Sequence, residues 1–276
     1  MALFSKIVIG FFRYGEVIYV RLRKKYLKFL PPSPIGRFPI FTKELFRLKT
    51  KIIAKNFDPI IREELQWYNQ VHYDIKDSQE SIDIANICKF ILDNENVEGN
   101  ILELGTERAG LTIIIAHFLK RINSKKMVYG TDTFEGQPYD DKYSWDDNKK
   151  GGTLASTYEY DEVIKKIKQY KVDDKIKLIK GLFEKTLYQQ LKTQEFSFVF
   201  VDCNLYDSTK FGLEFAYPRV SKGGIIAFDE YESSSKGVPY HGETKAANEF
   251  AQQNQVVIDL TPIPHIKKIL SKKNQI

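Results

Sequence analysis

The stretch ILELGTERAGLTIIIAHFL, residues 101–119, joins two periodicities. It opens as a short apolar run, interrupted by Glu103, of the length a strand needs. Gly105 then marks a turn, and from Gly110 onward the apolar residues fit a buried helix. The spacing predicts a strand over 100–104, a glycine turn, and a helix over 110–122. A strand that passes through a tight turn into a helix is the first half of a βαβ unit.

Downstream, the same alternation repeats. Short apolar runs stand at 127–131 (MVYGT), 176–180 (IKLIK), 197–202 (SFVFVD) and 224–229 (GIIAFD). Helical periods lie between them, at about 158–170, 184–193, 207–220 and 243–253. Strands that alternate with helices form right-handed crossovers and a parallel sheet. Two further strands are expected at 256–260 (VVIDL) and 266–270 (IKKIL). Only TPIPH separates them, so they should run antiparallel to each other.

Upstream, residues 41–70 read as helical, with Pro59 as a helix start or interruption. Asp77 and Glu80 have capping-box spacing before the apolar positions Ile82, Ile84, Ala85, Cys88 and Ile91. The break PPSPIGRFP, 31–39, admits neither regular helix nor central strand. The expected division is a helical extension, 1–75, and a catalytic-type α/β domain, 76–276. Residues 3–20 are apolar but carry Lys6, Arg13 and Glu16, too polar for a spanning helix. With the basic run RLRKKYLK, 21–28, residues 1–30 could lie on an anionic membrane as a peripheral contact. Packing against the chain's own domain, or against a second subunit in a homo-oligomer, is the favoured reading.

The net charge of +6 is modest, and the lysines are spread along the chain. No basic block argues for nucleic acid. Cys88 and Cys203, the two cysteines, form no metal-type spacing, which fits a reduced, cytoplasmic setting.

Two groups of residues carry the chemistry. The turn after the first strand is not GxGxxG, because Gly110 follows Gly105 by five residues, and it lacks the Walker Lys-Ser/Thr. A phosphate is therefore not its expected guest. Asp132, at the end of the second strand, is placed to accept hydrogen bonds from ribose hydroxyls. The second group is Asp202, Asp229 and Glu230, at the ends of two strands expected to be neighbours. Three carboxylates on one edge repel one another unless a cation joins them. All-oxygen ligands with room for water suit Mg²⁺. Asp202 is the first candidate for a base, and His241 the second, the alternative being a solvated loop histidine. The loop 137–157 holds Tyr139, Tyr143 and Trp145 and reads as a lid over a sugar or as a plain surface loop.

The motifs GNILELGTERAGLT, DTFEGQP, IKGLFEKTL, VDCNLYDST and GGIIAFDEY, in this order, resemble the macrocin O-methyltransferase family. That family belongs to the class I S-adenosylmethionine-dependent methyltransferases and methylates sugar hydroxyls with a divalent metal. The resemblance covers about residues 98–255. It implies a Rossmann-like, seven-stranded, mostly parallel sheet with an antiparallel last strand. It also implies that Glu103, Gly105, Thr106, Gly110 and Thr112 surround the methionine and ribose of S-adenosylmethionine. Asp132 would hold the ribose, with Thr133 beside the adenosine, and Gly181 and Phe183 would border the adenine. The family's metal ligands fall on Asp202, Asp229 and Glu230. The chain departs from the family at Cys203-Asn204, where Gly-Asp is usual, and at Glu230, where Asp is usual. The segment 232–242 is also longer. The acceptor expected is a small-molecule or glycan hydroxyl. Rival readings are a catechol-type methyltransferase and a non-catalytic scaffold that keeps the fold.

Overall fold

The computed structural model describes residues 39–75, 79–137, 160–229, 231, 234–235, 238–239, 241–258 and 267–269. Contacts divide the chain into two units, Met1–Phe57 and Asp58–Ile276. In the first unit the described element is helix α1, Pro39–Ala54. Everything that follows concerns the second.

The second unit opens with α2, Pro59–Ile75. Asp58 accepts the first helical hydrogen bond, from the Arg62 N–H, so Pro59 stands at the first helical position. There its missing N–H costs nothing. One face of α2, Ile61, Leu65, Tyr68 and Ile75, is fully buried. Glu64, also fully buried, is satisfied by two partners on a later helix. Arg121 Nε donates to it at 2.8 Å, and His117 Nδ1 lies 2.9 Å from both its oxygens. Trp67 stacks on the His117 ring at 3.6 Å. These contacts tie the helix 59–75, which the sequence reading had placed in the helical extension 1–75, to the α/β unit.

Helix α3, Ser81–Asp93, follows. Its capping box is Glu80 with Asp83, three residues later than the Asp77–Glu80 pair expected from spacing. Asp77 lies outside the described residues. The sheet then builds in sequence: β1 (Asn100–Leu104), α4 (Gly110–Arg121), β2 (Val128–Asp132), α5 (Tyr160–Gln169), β3 (Ile176–Lys180), α6 (Phe183–Leu191), β4 (Phe196–Val201), α7 (Tyr206–Ala216) and β5 (Val220–Phe228). After a two-residue hairpin, β6 (Ser234–Ser235) with β7 (Val238–Pro239), come α8 (His241–Gln253) and β8 (Lys267–Ile269).

The main sheet has the order β3-β2-β1-β4-β5-β8. The first five strands are parallel, and β8 is antiparallel to β5. The α/β, Rossmann-like methyltransferase architecture holds, with six described strands where seven were expected. The expected strand 256–260 is described only as far as Ile258, which takes part in a single β-bridge. Strand β5 begins at Val220 rather than 224, because the ladder with β4 slips between Phe196 and Phe198. Gly223, at φ +84°, takes up that irregularity. All six residues of β4 are buried, as a central parallel strand covered on both faces requires. Phe196, Phe198 and Phe200 each contribute roughly 1.5–3 kcal/mol by that burial.

Strand order reverses between β1 and β4, which places a crevice outside the carboxyl ends of these two strands. Among the described residues no helix is long and apolar enough to cross a membrane. Residues 1–30, read as a packed helix or as a peripheral membrane contact, lie outside the described residues, as does the loop 137–157 from residue 138 onward.

Candidate functional site

The crevice is walled by two turns pressed together. Gly105, at φ +90°, follows β1, and its N–H donates to Thr131 O at 2.9 Å. A Cβ added there would lie 2.1 Å from the Asp202 carbonyl oxygen and 3.0 Å from Cys203 Cα. Only hydrogen fits that gap, so the turns after β1 and β4 share a wall.

Beyond Gly105 the turn is left-handed twice more, at Glu107 (φ 46°) and Ala109 (φ 58°). Neither is glycine, so each carries local strain. The Ala109 N–H donates to Thr106 O at 2.7 Å, and the start of the turn is held by the carboxylate of Asp132. Its Oδ2 accepts the N–H groups of Thr106 (3.0 Å) and Glu107 (2.9 Å), and its Oδ1 accepts the Phe134 N–H (2.8 Å). Burial pushes the Asp132 carboxyl up, and the three N–H groups oppose that. Thr133 Oγ1 lies 3.4 Å from Oδ1, but its single proton is committed to Gly136 O at 2.7 Å. One acceptor position on Oδ1 therefore remains for a ligand. Asp132 clamps two turns together, a role that its place at a strand end did not announce.

Under the turn lies a polar cluster. Thr112, fully buried on α4, donates to Glu103 Oε2 at 2.6 Å, and Thr131 Oγ1 donates to the Glu103 carbonyl. Gly130 leaves room for it: a Cβ there would meet Thr106 Cγ2 at 2.9 Å and Thr112 Oγ1 at 3.1 Å. Thr106 Oγ1 is buried with no hydrogen-bond partner among the described residues, an orphan next to the crevice. Gly110 starts α4. Gly181, at φ +137°, donates its N–H to the Asp132 carbonyl. Phe183 begins α6 and belongs to the core cluster under the sheet. Phe134, at φ 54° and buried, packs edge-on against Tyr160 at 5.0 Å.

The acids occupy the other side. The Asp202 N–H donates to Leu104 O at 2.8 Å, and the Asp229 N–H to Val201 O at 2.9 Å. Each bond extends the parallel ladder by one rung, which sets the two aspartates side by side at the edge, about 5 Å apart in backbone. Both are half-buried. Asp229 Oδ1 also accepts the Gln79 side-chain amide at 3.0 Å. Nothing in the sequence pointed to Gln79, which is separated from Asp229 by 150 residues.

Cys203, between Asp202 and Asn204, turns its sulfur toward the buried Thr209 hydroxyl, 3.4 Å away. Burial raises its pKa well above the usual thiol value, and the carboxylates of Glu243, Asp202 and Asp132 add to that. Glu243, fully buried on α8, was not anticipated either.

Glu230, the third expected metal ligand, lies outside the described residues. Among the described residues no group of three or more His, Cys, Asp or Glu side chains could by itself hold a metal ion. The two aspartates supply hard oxygen donors in the chemistry Mg²⁺ prefers, and fit as part of such a set. His241 opens α8 instead of sitting in a loop, and its side chain is outside the described set.

Residues 39–268 match the family described as Macrocin-O-methyltransferase (TylF). A tetracenomycin-C rhamnosyl 4'-O-methyltransferase from Streptomyces olivaceus is 28% identical over 158 residues, 54% of this chain and 59% of that protein. A mycinamicin III 3''-O-methyltransferase from Micromonospora griseorubida is 26% identical over 50% of this chain and 57% of its own length. The chain thus aligns with a little over half the length of these relatives. Among solved structures, the O-methyltransferase NovP superposes with a TM-score of 0.60 at 22% identity, over 84% of this chain and all of that one. The calicheamicin methyltransferase CalS11 gives 0.62 at 20% identity, over 90% and 96%. At these identities the structures establish the fold.

Proposed function

The chain belongs to the macrocin O-methyltransferase family, and from that premise we propose that it methylates a hydroxyl of a sugar or glycosylated metabolite. The observation that carries the reading is the shared wall: the Gly105 turn sits directly on the backbone of Asp202. A cofactor held by the turn and an acceptor held by the acids would then be neighbours. When bound, S-adenosylmethionine supplies an electrophilic methyl group, and a divalent cation such as Mg²⁺ makes a hydroxyl more acidic.

The chain's own residues do the rest. The Gly105–Gly110 turn and the start of α4 form a floor without phosphate-binding features, suited to a sulfonium cation. The Thr106 hydroxyl offers an unmatched polar atom to the ligand. Asp132 offers its remaining Oδ1 position to a ribose hydroxyl, while its other acceptor positions keep the turn in shape. Asp202, Asp229 and Glu230 are the proposed oxygen ligands, and Asp202 takes the proton of the acceptor hydroxyl. Holding both reactants in one crevice supplies much of the acceleration.

Calorimetry with S-adenosylhomocysteine and with NAD tests the cofactor assignment. The expected result is a saturating response to the first and none to the second; the reverse pattern would remove the reading. Transfer of a labelled methyl group to a panel of glycosides and catechols then separates the sugar reading from the catechol reading. Asp132→Ala should weaken S-adenosylhomocysteine binding by roughly 1–3 kcal/mol, because three backbone N–H groups lose their acceptor. Unchanged affinity in that variant would show that the turn holds its shape without the clamp.

A further inference from the structure

We propose that Gln79 is a positioning residue for Asp229, so that the helical layer ahead of the sheet forms part of the metal-holding apparatus. The inference rests on the metal reading above. Gln79 is buried, in the short connection between α2 and α3. Its side-chain amide donates to Asp229 Oδ1 at 3.0 Å. That bond constrains the plane of the carboxylate at the strand end.

The main chain that carries the donor is held as well. The Tyr68 hydroxyl, on the fully buried face of α2, donates to the Gln79 backbone carbonyl at 2.7 Å and so anchors the main chain from which the amide projects. With its one proton used there, it accepts from His72 Nδ1 at 2.9 Å. Burial lowers the His72 pKa, so the neutral ring with its proton on Nδ1 fits this chain of bonds. The order is therefore His72, Tyr68, Gln79, Asp229. The Glu80–Asp83 capping box starts α3 directly after Gln79 and pins the connection from the other side. Groups that orient a metal-binding carboxylate by hydrogen bonding commonly change metal affinity by about 10–100-fold when removed.

The test uses the full-length protein and Mn²⁺, with free Mn²⁺ followed by electron paramagnetic resonance. Wild type, Gln79→Met and Tyr68→Phe are compared, with S-adenosylhomocysteine affinity and melting temperature measured in parallel. Methionine keeps the length of glutamine but cannot donate. The expected result is about tenfold weaker Mn²⁺ binding in Gln79→Met and a smaller loss in Tyr68→Phe, with cofactor affinity unchanged in both. Mn²⁺ binding equal to wild type in both variants overturns the proposal while the metal reading stands. Parallel losses of Mn²⁺ and cofactor affinity, tracking the melting temperature, also overturn it, because Gln79 would then support only the fold. If wild type itself binds no Mn²⁺, the metal reading fails and this proposal fails with it.

Discussion

Asp202→Asn is expected to leave a folded protein that binds cofactor and scarcely turns over. Asparagine keeps the size and one oxygen of aspartate but loses the charge. The backbone bond from residue 202 to Leu104 O is untouched, so the edge of β4 should keep its place. Turnover should fall by roughly 10²–10⁴-fold, the range a positioned general base contributes. EDTA should abolish wild-type activity, and Mg²⁺ should restore it. Without metal, the variant should be no less stable than wild type, because one of the carboxylates crowded on that edge has been removed. S-adenosylhomocysteine affinity, measured by calorimetry, should change little. An Asp202→Asn enzyme that turns over normally in EDTA would falsify both the metal and the base assignments.

The second large effect is expected at Gly105. Alanine there would need a Cβ 2.1 Å from the Asp202 oxygen and 2.7 Å from its carbonyl carbon, at φ +90°. The obstructing atoms are backbone at the end of a central strand, so they cannot swing aside as a side chain would. Left-handed strain and overpacking together should cost about 3 kcal/mol or more. For a domain of this size that lowers the melting temperature by roughly 6–12 °C. Gly130→Ala is the control, since its Cβ would meet side-chain atoms of Thr106, Leu178 and Thr112 at 2.9–3.1 Å. It should cost less stability than Gly105→Ala. A Gly105→Ala protein that melts within a degree of wild type would mean that the two turns are not in contact.

The sequence alone was enough for most of the sheet. β1 and β3 fall on the expected residues, and β2 and β4 are displaced by only one. A buried parallel strand has to be a short apolar run, and a turn beside it has to break that run, so both leave local marks. The strand-end positions of Asp132, Asp202 and Asp229 were legible for the same reason. The start of β5 was not, because the slip at Gly223 depends on its pairing with β4.

What the tertiary structure alone decided is which distant groups meet. Helix Pro59–Ile75 looked like part of an extension, yet its buried face and the Glu64–Arg121 pair bind it to the α/β unit. Asp132 was read as a ligand-facing acid. That two strained turns hang from its carboxylate follows from the pairing of β1 with β2. The contact between Gln79 and Asp229 left no sequence signal at all. Periodicity records which face of an element avoids water, because that is a property of neighbours along the chain. A hydrogen bond across 150 residues is set by how whole layers pack, and no local pattern encodes it.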